Sequence, residues 1–242
     1  MKKMFNAVRN NILPITGIFL SLLLFSACNK LDDDNGNTNP PVAGLMAFNL
    51  APDKSSIGIS LSGSNLTNVP LNYTNFTGVY QPIFPGSRQV EAFDFGGPTP
   101  FATATRNFTA EKYYSSFTVG ANGVYANMVV EDELDTLSAS SGDAFVRYVN
   151  AIPDSSDAIV TIASGTIDIN ANASYPSVSA FHAVNAGDLV IGAKIGTTVN
   201  ANRTITIEKG KIYTILLVGI PGSTDPVKEV QIKFIQNGTL TP

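Results

Sequence analysis

The sequence predicts an all-β fold: two tandem immunoglobulin-like antiparallel β-sandwich domains after a signal peptide and a flexible tether. Three observations predict it. Thr, Ser, Asn, Val, Ile and Gly dominate the chain, and Leu-Glu-Lys-Ala stretches of the helical kind are missing. Short runs alternate apolar and polar residues between turn signals spaced 8 to 12 residues apart. The chain also repeats itself at an offset of 101 residues, so that Asn49-Leu50-Ala51-Pro52-Asp53 lines up with Asn150-Ala151-Ile152-Pro153-Asp154.

The N-terminus is a separate matter. Lys2, Lys3 and Arg9 precede an apolar run from Ile12 to Phe25, which is followed by small residues at Ser26 and Ala27. That order is the order of an export signal, and the run is shorter than the roughly 20 residues a spanning helix needs. Residues 1–27 are therefore read as a lipoprotein signal peptide. Leu24-Phe25-Ser26-Ala27-Cys28 resembles the lipobox of bacterial lipoproteins, with Phe25 where Leu is usual. The resemblance implies acylation of Cys28 (palmitate among the chains added) and anchoring on the outer membrane. Cys28 is the only cysteine, so no disulfide can form within the monomer and the core must suffice alone.

Residues 28–42 read as the lipidated, disordered tether: polar, acidic and ending in Pro40-Pro41, with no apolar face to bury. Asp32, Asp33 and Asp34, so soon after Cys28, resemble the surface-export signal of lipoproteins from the Bacteroidetes. The resemblance implies display on the cell surface, with the periplasmic face as the alternative.

Residues 43–133 form the first predicted domain. Ile57, Ile59 and Leu61 alternate with small or polar residues, as a half-buried strand does. Asn122-Gly123 marks a hairpin between Phe117–Val119 and Val124–Val130. Residues 134–142 are polar and Ser-rich and read as the linker; being short and polar, it predicts sandwiches that fold separately. Residues 143–242 form the second domain. There Ala158, Val160 and Ile162 match the first triplet, and Ser115–Gly120 matches Thr214–Gly219. Leu216 and Val218, like Phe117 and Val119, are expected inside their own sandwiches. Glu111-Lys112 is paired with Glu208-Lys209, with Gly210-Lys211 as an insertion in the second copy.

Val146-Arg147-Tyr148-Val149-Asn150-Ala151-x-Pro153-Asp154, with Ala186-Gly187 and Lys209-Gly210-Lys211-Ile212-Tyr213-Thr214, resembles the domain of unknown function 4397 family. Copy one keeps Asn49-x-x-Pro52-Asp53 but lacks the Gly-Lys pair before Tyr113, and reads as the divergent copy. The resemblance implies a sandwich-like β module on exported proteins and no activity.

Function is narrowed mostly by exclusion. Losing the signal, with its three positive charges and no acid, takes the formal net charge from −4 to about −7. An acidic chain with no basic cluster argues against nucleic acid as a partner. With one histidine, His182, and one lipidated cysteine, neither a zinc site nor a Cys-His dyad can be assembled. Alternation places His182 on the surface beside a buried Phe181. The Asn-x-x-Pro-Asp segments read as turns; a Ca²⁺ loop built on Asp154, Ser155, Ser156 and Asp157 offers too few carboxylates. Asp94, Glu111, Asp168 and Asp188 are scattered and share no motif of the paired-acid kind. No cofactor motif is present and no enzyme is expected. Asp135-Thr136-Leu137 resembles the short O-glycosylation sequon of the Bacteroidetes, making Thr136 a candidate for modification. Two binding functions remain in view: an interaction module for other surface proteins or matrix, and a glycan-binding accessory of a nutrient-uptake system. Strand-face core packing explains most of Tyr73, Tyr80, Tyr113, Tyr114 and Tyr125; a row of coplanar, exposed tyrosines on one domain would favour the second.

Overall fold

The computed structural model describes residues 40–138, 143–155, 158–164, 167–197 and 199–240, the side chains of Ile167 and Asp168 excepted. Cys28 and Asp32–Asp34 lie outside the described residues. Copy one supplies nine strands: β1 (Ala43–Asn49), β2 (Ser56–Leu61), β3 (Ser64–Asn65), β4 (Leu71–Asn72), β5 (Gln81–Ile83), β6 (Gly86–Asp94), β7 (Pro100–Phe108), β8 (Tyr113–Ala121) and β9 (Val124–Glu131). Copy two supplies nine more: β10 (Asp143–Asn150), β11 (Ala158–Ser164), β12 (Ile167–Asn172), β13 (Ser177–Val178), β14 (His182–Asn185), β15 (Gly187–Ile195), β16 (Val199–Ile207), β17 (Lys211–Val218) and β18 (Gln231–Thr239). The one helical element among the described residues is a 3-10 turn at Leu134–Thr136.

Each copy is a sandwich of two sheets, and no sheet crosses from one copy to the other. In copy one the order β3-β2-β6-β7 faces β5-β1-β8-β9; in copy two β12-β11-β15-β16 faces β13-β10-β17-β18. The expectation of wholly antiparallel sheets needs correction. β1 runs parallel to β8, and β10 runs parallel to β17. In each copy the chain leaves the first strand for the facing sheet and comes back to lay the late strand beside it in the same direction.

The repeat holds in register. Phe48 pairs with Phe117 in copy one, and Val149 with Leu216 in copy two. Tyr114 and Tyr213 are equivalent down to their hydrogen bonds: each hydroxyl accepts from a backbone N–H at 3.0 Å, that of Thr109 and that of Glu208. Those bonds place Thr109 opposite Glu208, so the pairing of Glu111-Lys112 with Glu208-Lys209 is wrong. The length difference falls instead in a hairpin. Five residues separate β6 from β7, and three separate β15 from β16.

Three cores result. Ile57, Ile59 and Leu61 are buried inside the first sandwich with Leu45, Val90 and Ala92. Val160 and Ile162 are buried inside the second with Val146, Ile191 and Leu217. The third lies between the copies and contains Met46, Phe48, Phe117, Val119, Val149, Leu216 and Val218. The placement of Leu216, Val218, Phe117 and Val119 inside their own sandwiches is therefore corrected: they face the other copy. The inward positions of β17 are Tyr213, Ile215 and Leu217. The expectation of separately folding sandwiches is revised with them, because residues 41–242 form one compact unit with a continuous apolar layer between the halves. Burial of each Val, Leu or Phe in that layer contributes about 1.5–3 kcal/mol.

Candidate functional site

The Asn-x-x-Pro-Asp segments are occupied with holding turns. Asn49 is fully buried; its Nδ2 donates to the carbonyls of Lys54 and Leu71, and its Oδ1 accepts from Ala51 N–H. Asn150 does the same in copy two, donating to Ala173 O and Ser155 Oγ and accepting from Ile152 N–H. A buried amide that satisfies its own loop in this way fixes where the next strand begins. Asp53 then ties the loop to the β8–β9 hairpin, where its Oδ2 accepts from Asn122 N–H and Tyr125 Oη–H, both at 2.7 Å.

The densest polar cluster was not singled out from sequence. It sits between the copies around Arg147, 1% exposed. The guanidinium donates to Asp132 Oδ1 at 2.6 Å, Ser115 Oγ at 2.8 Å and Thr214 Oγ1 at 2.9 Å. Asp132 Oδ2 accepts from Ser115 Oγ–H and Tyr80 Oη–H. Rings close the guanidinium in, Phe181 at 4.5 Å and Phe117 at 5.3 Å. Burial, reinforced by the charge of Asp132, pushes the Tyr80 phenol well above its ordinary value of 10.0. A cavity of about 240 Å³ opens beside the cluster, lined by Asp132, Thr136, Leu137, Arg147 and Phe181. Every guanidinium nitrogen is already bonded within the protein, so the cluster ties β10 and β17 of copy two to Ser115 and Asp132 of copy one.

The remaining sequence candidates are dispersed. His182 is exposed on β14, next to a half-buried Phe181. Thr136 is exposed in the 3-10 turn, and its hydroxyl donates to Glu133 O at 2.7 Å. Its neighbour Asp135 is paired with Lys112, whose hydrogen bond holds that carboxyl below the usual range. Asp94 closes β6 and pairs with Lys54; Glu111 lies in the β7–β8 turn; Asp188 on β15 accepts from Thr206. The tyrosines form no row: Tyr114 is core, Tyr80 and Tyr125 are tied to Asp132 and Asp53, and Tyr113 stands edge-on to Tyr80.

An open groove lies elsewhere, on the outer face of the sheet containing β2 and β6. It has a volume of about 540 Å³ and includes Ser60, Asn65, Glu91, Phe93 and Phe95 among its lining residues. That size falls among small-ligand sites, which run from about 300 to 1,000 Å³. Glu91 points outward, and Ser60 Oγ–H donates to its Oε2 at 2.7 Å.

The class defined so far is an all-β, two-copy sandwich protein with an internal ionic lock. Residues 43–157 match the family model described as Domain of unknown function (DUF4397), the family read from the motifs. The matched segment covers all of copy one, together with the opening strand and Asn150-x-x-Pro153-Asp154 turn of copy two. No curated protein matches the chain. Three solved structures of Bacteroides proteins, each described as a "putative cell adhesion protein", align with it. That from Bacteroides ovatus is 7% identical, covers 84% of this chain and 99% of its own, and gives a TM-score of 0.25. The Bacteroides uniformis structure is 10% identical, covering 81% and 96%, at 0.24; the Bacteroides eggerthii one is 10% identical, covering 81% and 94%, at 0.23. At those TM-scores the alignments bear on neither fold nor function.

Proposed function

We propose that this chain is a non-enzymatic lipoprotein, anchored on the outer membrane through Cys28, displayed on the cell surface, and acting as an interaction module for other surface proteins or matrix. One observation carries the binding part of this reading. The strongest polar constellation of the fold is used internally, on the lock between the copies, while the groove beside Glu91 is left open to solvent. The anchor rests on the order of charge, apolar run, small residues and cysteine in residues 1–28. No helix among the described residues is long and apolar enough to cross a membrane. Asp32–Asp34 are assigned to surface export and Thr136 to O-glycosylation. A glycan-binding role in nutrient uptake is the second reading, and the groove favours it.

The test is fractionation and labelling. The Cys28→Ser chain should leave the membrane pellet after a high-salt wash, and replacing Asp32, Asp33 and Asp34 with Ala should reduce labelling of intact cells at constant total protein. Retention of the serine variant in the pellet, or a parent chain that is not labelled on intact cells, contradicts the assignment.

A further inference from the structure

We infer that the groove on the outer face of β2 and β6 is a binding site for a neutral carbohydrate, with Phe93 as the stacking platform and Glu91 as the hydroxyl-binding carboxylate. The inference names a ligand class for the binding module proposed above and rests on that reading.

The case begins with two strand pairs. Gly58 on β2 lies directly opposite Phe93 on β6, and Ser60 lies opposite Glu91. A Cβ at residue 58 would run into Cε2 and Cζ of the Phe93 ring. The ring therefore leans across the neighbouring strand into the space left by the glycine. It is half-buried there, packed against backbone on one side and lining the groove on the other. An aromatic ring held against a sheet suits the C–H face of a sugar, because stacking needs a flat apolar surface with hydrogen-bonding groups at its edge. Glu91 supplies such a group two residues away on the same face. Ser60 holds its Oε2 at 2.7 Å, and the carboxylate lines the groove as an acceptor for sugar hydroxyls. Asn65 and Asn68 add exposed amides along the rim, and Phe95 (42% exposed) extends the apolar floor.

Copy two shows that the fold does not demand this set. The same register places Ile159 opposite Lys194 and Thr161 opposite Gly192. Ile159 and Lys194 stand where Gly58 and Phe93 are in copy one, and Gly192 stands where Glu91 is. The glycine-covering ring and the outward carboxylate belong to copy one alone. So does the longer β6–β7 hairpin, whose Gly96, Gly97 and Pro98 also line the groove. Ring, carboxylate and longer hairpin thus occur together in one copy and are all missing from the other. No Lys or Arg lines the groove, which favours a neutral sugar over an anionic one.

The test is saturation-transfer NMR on the full-length chain in detergent, with cellotriose, mannotriose, chitotriose and β-galactotriose as neutral probes and trigalacturonate as the anionic one. At least one neutral trisaccharide should receive saturation on its ring C–H protons, with a Kd on the order of 1 mM. Phe93→Leu, which keeps an apolar cover over Gly58, should weaken that binding at least 10-fold. Glu91→Gln should weaken it about 5-fold, and Lys194→Ala in copy two should leave it unchanged. Thermal unfolding of each variant separates lost binding from lost fold. No transfer to any neutral probe at roughly 10 mM, ten times that Kd scale, overturns the inference. So does binding that survives both copy-one substitutions in folded protein, or equal binding of trigalacturonate. Failure here leaves the fractionation result of Cys28→Ser untouched, so the two claims fail separately.

Discussion

Met46 and Arg147 occupy the same position in the two copies, one beside Ser115 and the other beside Thr214 in the parallel strand pairs. Across the junction each meets the last strand region of the other copy. Arg147 meets Asp132 at 2.6 Å, and Met46 Sδ lies 3.9 Å from the Asn237 amide. The repeat has thus produced two half-sites around a pseudo-twofold, one ionic and one neutral. Removing one partner of a buried pair leaves the other charged and dry, which costs about 3–5 kcal/mol. Arg147→Ala should therefore lose stability on that scale. The pair Arg147→Met with Asp132→Asn, which copies the neutral half-site, should recover most of the loss. Urea unfolding of the single and double variants checks this, and a double variant as weak as the single contradicts it.

Gly120, the penultimate residue of β8, and Gly219, directly after β17, are equivalent and have φ of 123° and 116°. A Cβ at either would collide with a backbone carbonyl across the hairpin, that of Val124 or of Glu229. Alanine at either position should cost about 1–3 kcal/mol from backbone strain alone, with the clash in addition. Alanine at Gly123 meets no neighbouring atom, although its φ is also positive. The ordering of melting temperatures, Gly120→Ala and Gly219→Ala both below Gly123→Ala, is the measurable outcome.

Much of this was readable in the residues. Alternation at Ile57–Leu61 and Ala158–Ile162 identified the inward face of β2 and β11, because only every second residue of those strands enters a core. The junction was missed where that assumption failed. Leu45–Leu50, Phe145–Val149 and Ile212–Val218 are nearly continuous apolar runs, the pattern of strands buried on both faces, and Arg147 is the one charge inside them. The groove was invisible for a different reason. Gly58, Glu91 and Phe93 are unremarkable in sequence and become a set only through the β2–β6 register.

Tyr80 sets a pH dependence. Burial first, and the charge of Asp132 second, hold its phenol protonated in the folded state beyond the ordinary 10.0, and burial shifts Tyr73 the same way. The unfolded chain releases these protons near pH 10 while the folded chain retains them. Stability is therefore full below about pH 10 and falls as pH rises past it, by about 1 kcal/mol per unit for each tyrosine. Unfolding free energies at pH 9 and 11 should show the drop, and Tyr80→Phe should reduce its slope. A slope unchanged in that variant contradicts the assignment.

The apolar layer between the copies makes their folding a joint property. Phe117→Ala removes a buried ring from that layer and should cost about 3–5 kcal/mol, felt by both copies. Hydrogen exchange measured peptide by peptide can show whether a lesion placed wholly in one copy is felt by the other.

Val160→Asp puts a charge inside the second sandwich, remote in sequence from copy one and absent from the shared layer. Hydrogen exchange of this variant is the most direct test of the two-copy unit. If the copies stand together, peptides from β2 and β6 lose protection along with those from β11 and β15, and a single unfolding transition covers both. Full protection of β2 and β6 beside an exchanged copy two would contradict the account.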